Sequence, residues 1–173
     1  MINIFIAPTD TESGLTTISL GLIQALDAQG LKVGFVKPIA PGSSASERST
    51  QLIRTVLHLD PPEPMALADV QQSVSNGMLD RTLEDAVGLH AQVAEGCDVV
   101  IIEGLVPDRS EPYTAKLNVE IAKAMTEKVK ELWTVDWSYS SRKQAQFRIA
   151  LRDLLEEFGY PPEECERAVQ TVL

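Results

Sequence analysis

The first 26 residues constrain this chain more than any other stretch. Ile2-Asn3-Ile4-Phe5-Ile6-Ala7 is a short apolar run stopped by Pro8, the pattern of a buried strand. From Gly14 to Gln29, apolar Leu15, Ile18, Leu22, Ala25 and Leu26 recur at helical spacing, and Gly30 stands where a helix C-cap glycine belongs. Between strand and helix lies the turn Pro8-Thr9-Asp10-Thr11-Glu12-Ser13-Gly14-Leu15-Thr16-Thr17. Strand, turn and helix in this order frame a phosphate loop. Its backbone N–H groups point inward at a helix N-terminus, where the helix dipole favours anions. A lysine then reaches the terminal phosphates and a Ser/Thr hydroxyl holds Mg2+. Gly14 and Thr16 stand where that arrangement wants them, but Leu15 stands where the lysine should be. Pro8 removes a donor, and Asp10 and Glu12 add negative charge beside the would-be phosphate.

The rest of the first half alternates strand and helix. Lys32-Val33-Gly34-Phe35-Val36 reads as a second strand ended by Lys37-Pro38, and 39–49, rich in Pro, Gly and Ser, reads as a loop. A short helix is expected from Glu47 to Leu57, irregular chain from Asp60 to Pro64, and a helix from Leu79 to Ala94. Asp98-Val99-Val100-Ile101-Ile102-Glu103-Gly104 is the clearest strand, with four consecutive β-branched residues between an acid and an acid–glycine pair. A helix follows from Thr114. This order predicts an α/β fold: a phosphate-loop-type parallel sheet flanked by helices, truncated, and followed by an α-helical tail. In such sheets the ligand crevice lies at the carboxyl ends of the strands, so the first loop, Lys37 and 103–105 should meet on one rim.

Those residues are the candidate site. Thr9, Asp10, Thr11, Glu12, Gly14, Thr16 and Thr17 form the loop, and it admits two readings: a weak nucleotide or anion site, or a loop that only caps the first helix. Lys37 is either an anion contact or a solvated lysine before a proline turn. Glu103 ends the third strand, where an acid serves Mg2+ or water; the alternative is a plain strand-end carboxylate. Thr16 and Glu103 are metal ligands only if Mg-nucleotide binds, and no other cofactor is indicated. No catalytic residue is assigned. His58 and His90 lack partners at ligand spacing and read as surface or helix-packing residues. Cys97 reads as a small packing residue at a strand entrance.

Beyond residue 125 the pattern changes. Leu132–Trp137 is a weak strand run holding both tryptophans, Trp133 and Trp137, and Ser141 to Phe158 is an amphipathic helix closed by Gly159. Pro161-Pro162-Glu163-Glu164 starts another helix, with proline and acids in its first turn. Net charge is −8 over residues 1–125 and −2 over 126–173, which supports two units, an α/β domain at 1–125 and a helical tail at 126–173. The net charge of −10 argues against binding a nucleic-acid backbone or an anionic membrane surface. No apolar run approaches the roughly 20 residues of a membrane helix. The N-terminus lacks a basic segment before its apolar run, so no signal peptide is expected. Cys97 and Cys165 lie far apart, as reduced thiols of a cytoplasmic protein would.

Three segments carry a resemblance: Pro8 to Gly21, Phe35-Val36-Lys37-Pro38-Ile39-Ala40, and Val100 to Pro107 together with Leu117-Asn118-Val119-Glu120-Ile121-Ala122-Lys123. Over residues 1–124 the chain resembles the N-terminal domain of long-form bacterial phosphate acetyltransferase, itself similar to dethiobiotin synthetase. The synthetase has glycine at the Pro8 position and lysine at the Leu15 position; the acetyltransferase domain lacks that lysine, as this chain does. The resemblance implies a non-catalytic regulatory and oligomerising domain. An ATP-dependent synthetase or amidoligase is the alternative. The acetyl-transferring domain lies far downstream in that family and is absent from this sequence. A second resemblance rests on Trp133-Thr134-Val135-Asp136-Trp137, Ala150 to Pro162 and Ala168 to Leu173. These resemble the C-terminal helical region of the type I restriction enzyme R subunit, which implies docking to partner subunits; Trp133 and Trp137 are suited to anchoring in a partner or in this chain's own core. The expected partners are thus a second copy of the chain or a docked protein. The chain reads as a chimera of two families joined near residue 125. Its few strands leave an open sheet for the tail or another chain to cover.

Overall fold

The computed structural model describes residues 1–8, 13–42, 47–107, 113–132, 141–157, 159, 161, 164, 165, 167 and 169, with the side chains of 128–132, 141–144 and 147 set aside. Three strands, β1 (Ile2–Ile6), β2 (Val33–Val36) and β5 (Val99–Glu103), form a parallel sheet in the order β1-β5-β2. Ile4 lies opposite Ile101, and Phe35 lies opposite Ile101 on the other side. β5 is central, which explains its unbroken apolar sequence: all five residues are buried, whereas β1 is half-buried throughout.

Alternate residues of β5 feed two cores. Val99 and Ile101 pack with Leu22, Ile23 and Leu26 of α1 (Leu15–Ala28). Val100 and Ile102 pack with Ala86 of α4 (Leu79–Ala94) and with Leu117, Ile121 and Met125 of α5 (Tyr113–Leu132). Two faces, each covered by helices, give the α/β sandwich that the strand pattern predicts.

Local chemistry sets the ends. α1 stops in a reciprocal pair of bonds, Gly30 N to Asp27 O at 2.8 Å and Leu31 N to Leu26 O at 3.2 Å, with Gly30 at φ 77°. That is a left-handed glycine stop, sealed by the buried pair Leu26 and Leu31. Gly34 in β2 is forced by packing: a Cβ there would stand 2.4 Å from Val93 Cγ1 of α4.

The expected loop at 39–49 needs correction. Ile39–Ala40 is a short strand, β3, paired in parallel with β4 (Met65–Ala66), and Pro38 O accepts from Met65 N at 2.9 Å. α3 (Leu67–Ser75) follows, also unexpected. α2 spans Arg48–Leu57, with Glu47 as its N-cap. The weak strand expected at 132–137 begins inside α5, and 133–137 lie outside the described residues.

α5 runs without interruption through residue 125, where the two units were expected to meet. α6 (Ser141–Glu157) then packs against α1, placing Ala150, Leu151 and Leu154 in the α1-side core together with Val169. Gln146 Nε2 donates to Gln29 O at 3.0 Å, fixing α6 to the end of α1. The helical tail is therefore folded onto the sheet domain. Among the described residues, no helix is long and apolar enough to cross a membrane.

Candidate functional site

The rim at the carboxyl ends of the strands forms as the parallel order requires. Lys37 leaves the end of β2 and Glu103 ends β5; their Nζ and Oε1 atoms meet at 2.7 Å. Neither is at the surface: Lys37 is 4% exposed and Glu103 0%. Pro38 disfavours a helical backbone at Lys37, consistent with the chain leaving β2 there without forming a helix. Lys37 Nζ also lies 3.3 Å from Glu47 Oε1 and donates to Ser49 Oγ at 3.3 Å. The ammonium donates to Glu103 and Ser49 and pairs with the Glu47 carboxylate. The reading of Lys37 as a solvated lysine is thus corrected; the side chain is a buried ion-pair partner.

Both oxygens of Glu103 are engaged, because Ser19 Oγ donates to Oε2 at 2.9 Å. Ser19 lies on the buried face of α1 and also donates to Leu15 O at 3.1 Å. Glu47 holds the start of α2: its Oε1 accepts from Ser49 N at 3.1 Å and its Oε2 from Thr50 N at 2.6 Å. Burial alone would push the Glu47 carboxyl up, but the Thr50 N–H, the Lys37 charge and the Ser49 N–H outweigh it and hold the group below 4.5. Thr16 Oγ1 and Ser49 Oγ share a hydrogen bond of 2.8 Å, which ties the loop's hydroxyl to α2.

The loop keeps its glycine geometry. Gly14 sits at φ 65° before α1, and its carbonyl accepts from Thr17 N at 2.9 Å and Ile18 N at 3.1 Å. Leu15 is buried at 6% exposure, whereas Thr17 is exposed. Thr9, Asp10, Thr11 and Glu12 lie outside the described residues, as do Trp133 and Trp137. A cavity of about 310 Å³ opens beside the loop, lined by Ser13, Gly14, Leu15, Thr16, Thr17 and Arg48 among others.

Sequence reasoning passed over Ser19, Glu47, Ser49 and Arg48. Ser19 had left a signal: it falls on the apolar stripe of Leu15, Leu22, Ile23 and Leu26, where a hydroxyl needs a buried partner. Asn118 gains a role as well. Its Oδ1 accepts from Leu105 N at 2.8 Å and its Nδ2 donates to Leu105 O at 2.7 Å, clamping the chain just past β5. Gly104 makes room for this clamp, since a Cβ there would meet Phe5, Asn118 and Ile6 at 3.0–3.1 Å.

The two histidines and Cys97 sit apart from this rim. His58 is exposed at the end of α2. His90 is buried, its Nε2 2.8 Å from Asn3 Oδ1, and burial holds its pKa below 6.5. The Cys97 thiol donates to Val93 O at 3.2 Å, and burial and Asp98 push its pKa up. Neither Cys97 nor Cys165 is in a disulfide.

Mg2+ was the cofactor raised by the loop. It demands near-octahedral oxygens at about 2.0–2.1 Å. Both Glu103 oxygens are already taken, Thr16 Oγ1 is bonded to Ser49, and the Lys37 ammonium stands between the two carboxylates. As arranged, these residues do not fit the ion. Among the described residues, no group of three or more His, Cys, Asp or Glu could hold a metal.

Comparison with known proteins places these features. Residues 3–129 match a family described as "AAA domain". Residues 112–173 match one described as "Type I restriction enzyme HindI endonuclease subunit-like, C-terminal". The two matches overlap over most of α5. The phosphate acetyltransferases of Pseudomonas putida and Pseudomonas aeruginosa are each 47% identical to this chain over 128 residues, covering 72% of the chain and 18% of the relative. That of Escherichia coli is 32% identical over 130 residues, 73% of the chain and 18% of the relative. The chain thus spans under a fifth of these relatives' length.

Proposed function

Because this chain belongs to the AAA-domain family, we propose that its sheet domain is a non-catalytic regulatory and oligomerising unit, related to the N-terminal part of phosphate acetyltransferase. Its loop takes a nucleotide or other anion weakly at most, and the protein works in the cytoplasm.

One observation carries this reading: the loop lysine is replaced by Leu15, and the Lys37 ammonium at the rim is held by two carboxylates. Leu15 is apolar and buried where the loop lysine belongs, and the Lys37 charge is spent on Glu103 and Glu47. A charge-assisted contact to phosphate is worth about 1.5–3 kcal/mol. Among the described residues, what remains beside the loop is the α1 N-terminus, the hydroxyls of Ser13, Thr16 and Thr17, and Arg48 in the lining of the cavity. That set supports loose anion binding and, among the described residues, offers no group placed to drive phosphoryl transfer.

Purified protein should show no ATP hydrolysis above background, and 1 mM Mg-ATP should move its melting temperature by under about 1 °C. Robust hydrolysis that Thr16→Ala abolishes would sink the proposal. Sedimentation velocity tests the oligomerising part: a concentration-dependent rise in sedimentation coefficient is expected, and a monomer throughout the micromolar range would remove it.

A further inference from the structure

The misfit with Mg2+ has a physical source, and it lies in one side chain. Glu103 and Glu47 bring two carboxylates to within 2.7 and 3.3 Å of a single point, with the Ser49 hydroxyl at 3.3 Å. The point is occupied by Lys37 Nζ. These are the distances of an ammonium cage, longer than those of a divalent ion. The cage is dry, with its three charged members at 4%, 7% and 0% exposure. Two carboxylates around one ammonium leave a net charge of −1 in the interior. The carboxylates are also fixed from outside the cage, by Ser19 on Glu103 and by the Ser49 and Thr50 N–H groups on Glu47. These outside donors hold each carboxylate independently of the lysine.

We propose that the Lys37 ammonium is the resident cation of this site, filling an oxygen cage that would otherwise take a divalent metal ion, so that whatever anion the loop binds is bound without metal. The inference deepens the proposed function and rests on it only for the anion. The cage itself is tested with metal alone.

Mn2+ is the probe, followed by the electron-paramagnetic-resonance signal of the free ion and by thermal melting, with no nucleotide present. Wild-type protein should leave the Mn2+ signal unchanged at millimolar ion, and its melting temperature should move by less than about 1 °C. Lys37→Met removes the ammonium and keeps the stem volume. It should melt lower in EDTA, bind Mn2+ at least tenfold more tightly than wild type, and regain roughly 5–10 °C as the ion saturates. Adding Glu103→Gln to Lys37→Met should abolish that response, which assigns the ion to the cage. Lys37→Met that folds and ignores Mn2+ overturns the proposal. So does wild-type protein that binds Mn2+ saturably and loses the binding in Glu103→Gln. Should Lys37→Met fail to fold with or without the ion, the wild-type titration decides alone: silence supports the proposal, and saturable binding lost in Glu103→Gln overturns it. ATP hydrolysis by the wild type would defeat the proposed function and leave this metal-only result standing on its own.

Discussion

Leu154→Ala asks whether the tail is part of the fold or an appendage. Leu154 of α6 is 8% exposed and belongs to the core that α1 builds on β5. Truncation to alanine removes three carbons, about 2.4 kcal/mol of transfer free energy at ~0.8 kcal/mol per methylene. The cavity left between α6 and α1 adds to that, so a total of about 3–4 kcal/mol is expected. For a chain of 173 residues this lowers the melting temperature by roughly 6–16 °C. Denaturation followed by far-UV circular dichroism should show one transition shifted to lower denaturant with an unchanged slope. Hydrogen exchange should report weakened protection in α1 as well as in α6. Ile149, on the same helix but 39% exposed, is the control: Ile149→Ala should change stability by under about 1 kcal/mol. A loss below about 1 kcal/mol for Leu154→Ala, or a biphasic melt in which only the α6 signal moves, would refute the reasoning and return the tail to an independent docking segment.

The remaining expectations concern the sheet and its rim. Gly34→Ala drives a methyl group into Val93 and should cost about 1–3 kcal/mol, with Val93→Ala restoring much of it in a double-mutant cycle by urea denaturation. Asn118→Ala leaves the N–H and C=O of buried Leu105 without their partner and should cost about 2–4 kcal/mol by the same measurement. Acid should unfold the protein in two limbs. His90 is held below 6.5 by burial, so its contribution is full above pH 6.5 and falls as pH drops below that value. Glu47 is held below 4.5, so its contribution is full above pH 4.5 and is lost as pH falls through its folded value. His90→Gln should flatten the upper limb and Glu47→Gln the lower one, as read from melting temperature against pH.

The meeting of Lys37 and Glu103 could be foreseen, because both end strands that run the same way and such ends share a rim. Their burial could not: a lysine before a proline turn reads as solvated until the neighbouring carboxylates are placed around it. Glu47 shows why. Glutamate is not among the favoured N-cap residues, and only the fold reveals that its carboxylate closes the first turn of α2 and faces Lys37 as well. β3 and β4 are two residues each, too short for a periodic signal, and they pair across a proline-rich stretch. The stronger periodicities held. Leu79–Ala94 is the helix its spacing predicts, and Val99–Glu103 is the strand its apolar run predicts.

A three-stranded parallel sheet is narrow, and one helix over each face cannot hide it. On the α4 side, α5 completes the cover through Leu117, Ile121 and Met125. On the α1 side the matching contribution comes from the tail, where Ala150, Leu151 and Leu154 join a core against which Ile2, Ile4 and Ile6 of β1 are packed. The segment that matches a different family thus supplies the layer that the sheet lacks, and α5, shared by both family matches, carries the chain from one part to the other. A chain ending at Leu132 would keep every described strand and still lose that layer. It would expose the outer side of Leu22, Ile23 and Leu26 along with the isoleucines of β1. Such a fragment should bind the dye ANS, keep its far-UV signal and melt without a cooperative transition. A fragment of residues 1–132 that melts sharply, within a few degrees of the whole chain, would show that α6 only rests on the fold and that the two parts are separable.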